Sequence, residues 1–151
     1  MKEFTNIEEI LDFAIGEEQA AVDFYLLLAA QSKNQQTKKV FLEYAEEEMR
    51  HKSNLLKVKE AGSFVLPNNT VRDLKIAEYL VDVKPSANMT YQDALILAMK
   101  KEKAAFRMYT TLAEKADDLS VKALFFNLAQ EESKHKLRFE LEYDDYILKE
   151  N

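Results

Sequence analysis

Residues 10–58 and 94–142 align without a gap, with fifteen of forty-nine positions identical and every matched pair 84 residues apart. The pairs include Leu11/Leu95, Ala14/Ala98, Glu18/Glu102, Tyr25/Tyr109, Phe41/Phe125, Ala45/Ala129, Glu48/Glu132 and His51/His135. A chain that repeats itself in this way builds one unit twice and packs the copies together, because a single copy leaves its apolar face uncovered. In each copy apolar residues recur at alternating steps of four and three, the spacing of one helix face. In the first helix the seam is Ile7, Leu11, Ala14, Glu18, Ala21, Tyr25 and Leu28, and in the third it is Tyr91, Leu95, Ala98, Glu102, Ala105, Tyr109 and Leu112. With two Gly and two Pro in 151 residues, little interrupts long helices.

The pattern predicts an all-α, antiparallel four-helix bundle in a single domain over residues 1–151. Two hairpins, about 5–61 and 90–149, are joined by a linker over 62–89. Thr5 with Glu8 reads as a capping box opening the first helix. The second runs from about Gln36 to Ala61 with Gly62 closing it, Thr90 caps the third, and Ser120 caps the fourth after an Asp117–Asp118 turn. A short helical piece is expected around Asp73 to Leu80. Helices of about 26 residues are about 40 Å long, so the linker is the one connection able to run back along the bundle.

Charge and composition exclude several classes of function. A net charge of −6 argues against nucleic acid or an anionic membrane as partner. No apolar run is long enough to span a bilayer, and the N-terminus lacks the basic-then-apolar pattern of a secretory signal, so a cytoplasmic location is expected. Zero cysteines exclude disulfides, iron–sulfur centres and zinc–thiolate sites.

The two histidines each follow a glutamate by three residues, in Glu48-Met-Arg-His51 and Glu132-Ser-Lys-His135. Positions i and i+3 share a helix face, so carboxylate and imidazole can grip one ion. The isolated glutamates of the other two helices fall at the same height: residue 33, midway between Glu18 and Glu48, lies in the first turn, and residue 117, midway between Glu102 and Glu132, lies in the second. Four carboxylates in one core layer would each bear several kcal/mol of desolvation, on the order of that of any buried ion, unless they take protons or cations. Two divalent ions balance them. Oxygen donors plus one imidazole per ion suit iron or manganese best, with zinc possible.

These motifs resemble those of the rubrerythrins, ferritin-like diiron-carboxylate proteins, over about Thr5 to Leu148. The resemblance implies metal ligation by Glu18, Glu48, His51, Glu102, Glu132 and His135, with Glu48 and Glu132 bridging two Fe ions and Glu18 and Glu102 terminal. It implies an oxidoreductase that reduces peroxide or dioxygen or oxidises ferrous iron. The alternatives are a non-catalytic iron-sequestering or regulatory dimer and a manganese catalase-like enzyme. Full rubrerythrins add a rubredoxin-like module with four cysteines; with no cysteine here, electrons must come from a separate donor protein or reductant. Many also carry a further glutamate where this sequence has Ala105.

Around this set, Tyr25 and Tyr109 are expected to hydrogen-bond a carboxylate across the bundle, with an electron-relay role as the alternative. Ala14, Ala21, Ala45 and their repeat mates permit close packing or a small pocket. Glu46, Glu47 and Glu131 read as solvated faces. Phe13, Phe24 and Leu27 form a stripe off the inward seam, either core edge or the interface of a homodimer.

Overall fold

A computed structural model describes residues 4–62, 64–79, 81, 83, 85–86 and 89–150. The described elements are helical throughout: α1 (Ile7–Gln31), α2 (Gln35–Ala61), α3 (Asn68–Asp73), a 3₁₀ turn over Ile76–Tyr79, α4 (Tyr91–Lys115) and α5 (Leu119–Glu150). The all-α expectation holds, and the long helices pair as the repeat requires: α1 with α2, and α4 with α5. Within each hairpin the backbones run close together, whereas α1 meets α4 and α2 meets α5 at wider spacing.

The helix ends show where local chemistry differs from the sequence reading. Asn6, not Thr5, caps α1: its side chain accepts from the Glu9 N–H while its amide donates to the Glu9 carboxylate, which also accepts from the Thr5 hydroxyl. The cap therefore sits one residue later than expected, because asparagine caps as well as threonine does, and Glu9 reaches back to the side chains of Asn6 and Thr5. Asp118, not Ser120, opens α5, its carboxylate accepting from the N–H groups of Ser120 and Val121. Thr90 caps α4 as expected, and Gly62 closes α2 at φ 61, a left-handed conformation that glycine adopts without strain. The helical piece expected around Asp73–Leu80 is two pieces, separated by Lys75 at φ 52, and begins earlier, at Asn68 directly after Pro67. Leu80 lies outside the described residues.

The core is two apolar clusters with a polar layer between them. One gathers Ile10, Leu11, Ala14, Leu55, Leu112 and Phe125 with the crossover residues Phe64, Val71 and Ile76. The other gathers Val22, Phe24, Leu28, Phe41, Leu95 and Phe139. Burying such a side chain contributes roughly 1.5–3 kcal/mol, so the clusters hold four helices rigidly on either side of whatever sits between them. Phe24 is buried, Leu27 packs against its cluster, and Phe13 packs on Phe4 at 5.1 Å. The stripe thus joins one core residue to two that stay partly exposed. No described helix is long and apolar enough to cross a membrane.

Candidate metal centre

The interruption between the clusters is made of charge. Glu18 of α1, Glu48 and His51 of α2, Glu102 of α4, and Glu132 and His135 of α5 are each at most 3 % exposed. They sit on the inward seam of their helices, so the periodicity that buries the apolar residues buries them too. The six residues expected as ligands thus come together in one layer. They form two overlapping groups, Glu18–Glu48–His51–Glu132 and Glu48–Glu102–Glu132–His135, with the donor atoms of each within 4.8 Å of one another.

Nδ1 of His51 lies 2.9 Å from Glu132 and 3.5 Å from both Glu18 and Glu48. Nδ1 of His135 lies 2.9 Å from Glu48 and 3.9 Å from Glu102. The two imidazoles are nearly parallel, 17° apart, with centroids separated by 6.4 Å. These approaches lack hydrogen-bond alignment. Glu18 Oε2, both oxygens of Glu48, Glu102 Oε2, Glu132 Oε1 and both Nδ1 atoms are buried without a hydrogen-bond partner. Native proteins seldom leave one such atom orphaned, because each forfeits its solvation. Seven that converge fit cations coordinated among them, and the oxygen-rich donor set with one imidazole per group suits a hard or borderline divalent metal.

The electrostatics express the same demand. Burial, then the charges of Glu132 and Glu18, push the Glu48 carboxyl well above its ordinary range. Burial and Glu132 do the same to Glu102. Burial would also raise Glu132, but its contacts with Glu102 and His51 and the charge of the histidines bring it down to about 2. Burial opposes a charge on His51, yet Glu132, Glu18 and Glu48 together hold its proton far more tightly than usual. Protons are what this layer takes in place of metal.

The tyrosines differ. The Tyr109 hydroxyl donates to Glu18 Oε1 across the bundle at 2.5 Å, as expected. The hydroxyl of Tyr25 makes no hydrogen bond to a carboxylate among the described residues. Its ring instead packs 5.3 Å from Phe139 and edge-on to His135. Glu47 and Glu131, expected on solvated faces rather than as ligands, stay partly exposed and outside both donor groups, but their carboxylates also meet Nε2 of His135 and of His51 respectively. They too are a repeat pair, and that identity was the signal in the sequence that marks them. Glu46 is exposed.

A cavity of about 50 Å³ reaches the carboxylates from the α1–α4 side. Ala21, Ala98 and Ala105 help to line it, and Tyr79 and Val81 of the crossover border it. Tyr79 is held by its hydroxyl, 3.0 Å from Thr111 Oγ1, and by Arg107, 5.4 Å over its ring. Ala14 and Ala45 are buried in the apolar clusters instead.

The rubrerythrin family's sequence profile matches residues 9–143. The chain belongs to the rubrerythrin family. A solved structure of a hypothetical protein from Pyrococcus furiosus is similar to it over 91 % of this chain and 87 % of that one, with 26 % identity and a TM-score of 0.71. No curated protein matches it. The bundle of this rubrerythrin-family chain is accordingly of the ferritin-like kind, and its Glu/His layer is able to hold metal.

Proposed function

We propose that this chain is a non-haem diiron oxidoreductase that reduces peroxide or dioxygen with electrons from a separate donor. The observation that carries this reading is the layer of two donor groups sharing Glu48 and Glu132, reached by a cavity too small for an organic substrate. Glu18 and His51 would hold one iron, Glu102 and His135 the other, and Glu48 and Glu132 both. A bound ferrous pair supplies the two electrons that reduction of a peroxide needs.

The protein's own part is positioning and selection. Four carboxylates neutralise two divalent ions, so the buried layer closes without net charge. Tyr109 fixes one oxygen of Glu18 by donating to it, which leaves the other directed at the His51 side of the layer. Ordinary ligand pockets run to about 300 Å³ and more. The space beside these carboxylates admits only a few molecules of the size of water, peroxide or dioxygen.

The test is anaerobic reconstitution with ferrous iron, metal analysis, and stopped-flow mixing with peroxide. Two irons per chain and rapid reoxidation that repeats after each re-reduction are expected. Far fewer than two irons would sink the proposal. One slow oxidation would point to sequestration, and oxygen evolved without reductant would point to catalase-like turnover.

A further inference from the structure

The Glu47–His135 and Glu131–His51 pairs are wired crosswise. Glu131 stands on α5 and takes the histidine of α2, while Glu47 stands on α2 and takes the histidine of α5. Each is the residue immediately before a shared glutamate, so Glu47-Glu48 and Glu131-Glu132 divide their work in the same way. The second carboxylate enters the donor layer, and the first reaches across to the far nitrogen of the opposite hairpin's imidazole.

We propose that Glu47 and Glu131 are positioning residues that hold His135 and His51 with Nε2–H bonded outward and Nδ1 presented to the metal layer. A neutral imidazole carries one N–H and one lone pair, and a carboxylate can only accept. Bonding Nε2 to a carboxylate therefore fixes the proton there and leaves the lone pair on Nδ1, the atom that lies 2.9 Å from a shared glutamate in each half. Since each histidine is aimed by the other hairpin, neither half of the centre is complete until the hairpins dock. This inference rests on the dinuclear reading above.

The halves are not equally supported. The His135 ring is also stacked on Tyr44, with centroids 4.0 Å apart and 27° between planes, and Tyr25 meets it edge-on. The repeat places Leu128 where Tyr44 stands, and the one ring near His51 among the described residues is His135 itself. Glu131 thus aims His51 with less help than Glu47 has in aiming His135, and its loss is the more damaging.

The experiment is anaerobic Co(II) titration of the metal-stripped full chain, followed by visible absorption and metal count. It compares wild type with Glu131→Leu, Glu47→Leu, the corresponding Gln variants, and exposed Glu46→Leu as control. Wild type and control take two Co(II). Glu131→Leu keeps one tightly and binds the second about 10- to 100-fold more weakly, and Glu47→Leu shows a smaller loss. The Gln variants, whose amide oxygen still accepts from Nε2–H, recover most of the affinity, a rescue that a merely structural side chain would not require. In Zn(II)-loaded protein, the exchange-protected Nε2–H resonance of each histidine is present in wild type and lost at His51 in Glu131→Leu. A wild type that takes two Co(II), with both Leu variants unchanged in affinity and in these resonances, overturns the inference alone. A wild type that takes fewer than two overturns the dinuclear reading and this inference with it.

Discussion

Glu48 and Glu132 differ from the other donors because each belongs to both groups of the layer. Removing Glu18 takes a donor from one group and leaves the other intact; removing Glu48 takes a donor from both. Glu48→Ala and Glu132→Ala are therefore each expected to abolish binding of the ion pair, whereas Glu18→Ala retains about one ion per chain, as metal analysis after ferrous reconstitution will report. A Glu48→Ala chain that kept two ions would refute the sharing. These donors were legible in the sequence because a glutamate on an apolar seam contradicts its surroundings, and the repeat doubled each contradiction. Tyr44 was not legible. Its repeat mate is Leu128, and nothing in a helix's own periodicity says which ring of a neighbouring helix it will lie against.

The four long helices follow from patterning, and their ends from a competition among neighbouring polar residues. Thr5 and Asn6 both lie near the start of α1, and Asp118 and Ser120 both near the start of α5. Side chains of all four types can accept from a free N–H, so sequence alone places such a cap only to within a residue or two. In the structure Asp118 accepts from two N–H groups of α5. Asp118→Ala is expected to destabilise the chain by about 1 kcal/mol, within the range for lost caps, and Ser120→Ala by little. Thermal unfolding of both variants distinguishes them, and equal effects would mean that the serine shares the capping. The crossover was the least legible element. Its pieces are too short to carry a period, and it is shaped by what it covers: Phe64, Val71 and Ile76 complete an apolar cluster, and Tyr79 borders the cavity.

For the whole molecule, the charged layer makes fold stability and metal content one linked quantity. In the metal-free fold Glu48 and Glu102 titrate above 4.5 and His51 above 6.5, the values they regain on unfolding. A group that holds its proton more tightly folded than unfolded contributes fully below its unfolded pKa, and that contribution drains away as pH climbs toward the folded one. The drain begins above pH 4.5 for the two glutamates and above 6.5 for His51. Glu132, drawn down to about 2, has the opposite sign: its contribution is complete above 4.5 and lost only in acid, so it does not offset the others near neutrality. The Tm of metal-stripped protein is therefore expected to fall as pH rises from about 5 to 9. Self-repulsion from the net charge of −6 acts in the same direction, so a variant must separate the two causes. Metal-free Glu48→Gln/Glu102→Gln keeps the shape of the layer without its titrating carboxyls and should lose much of the pH slope, while an unchanged slope would assign it to the surface. Metal reverses the relation. Cations displace the protons of the layer, so uptake releases protons and affinity strengthens with pH. The stability gained on loading with Fe(II) or Co(II) should then be smallest near pH 5 and grow toward pH 8, and the loaded and stripped Tm curves should diverge as pH rises.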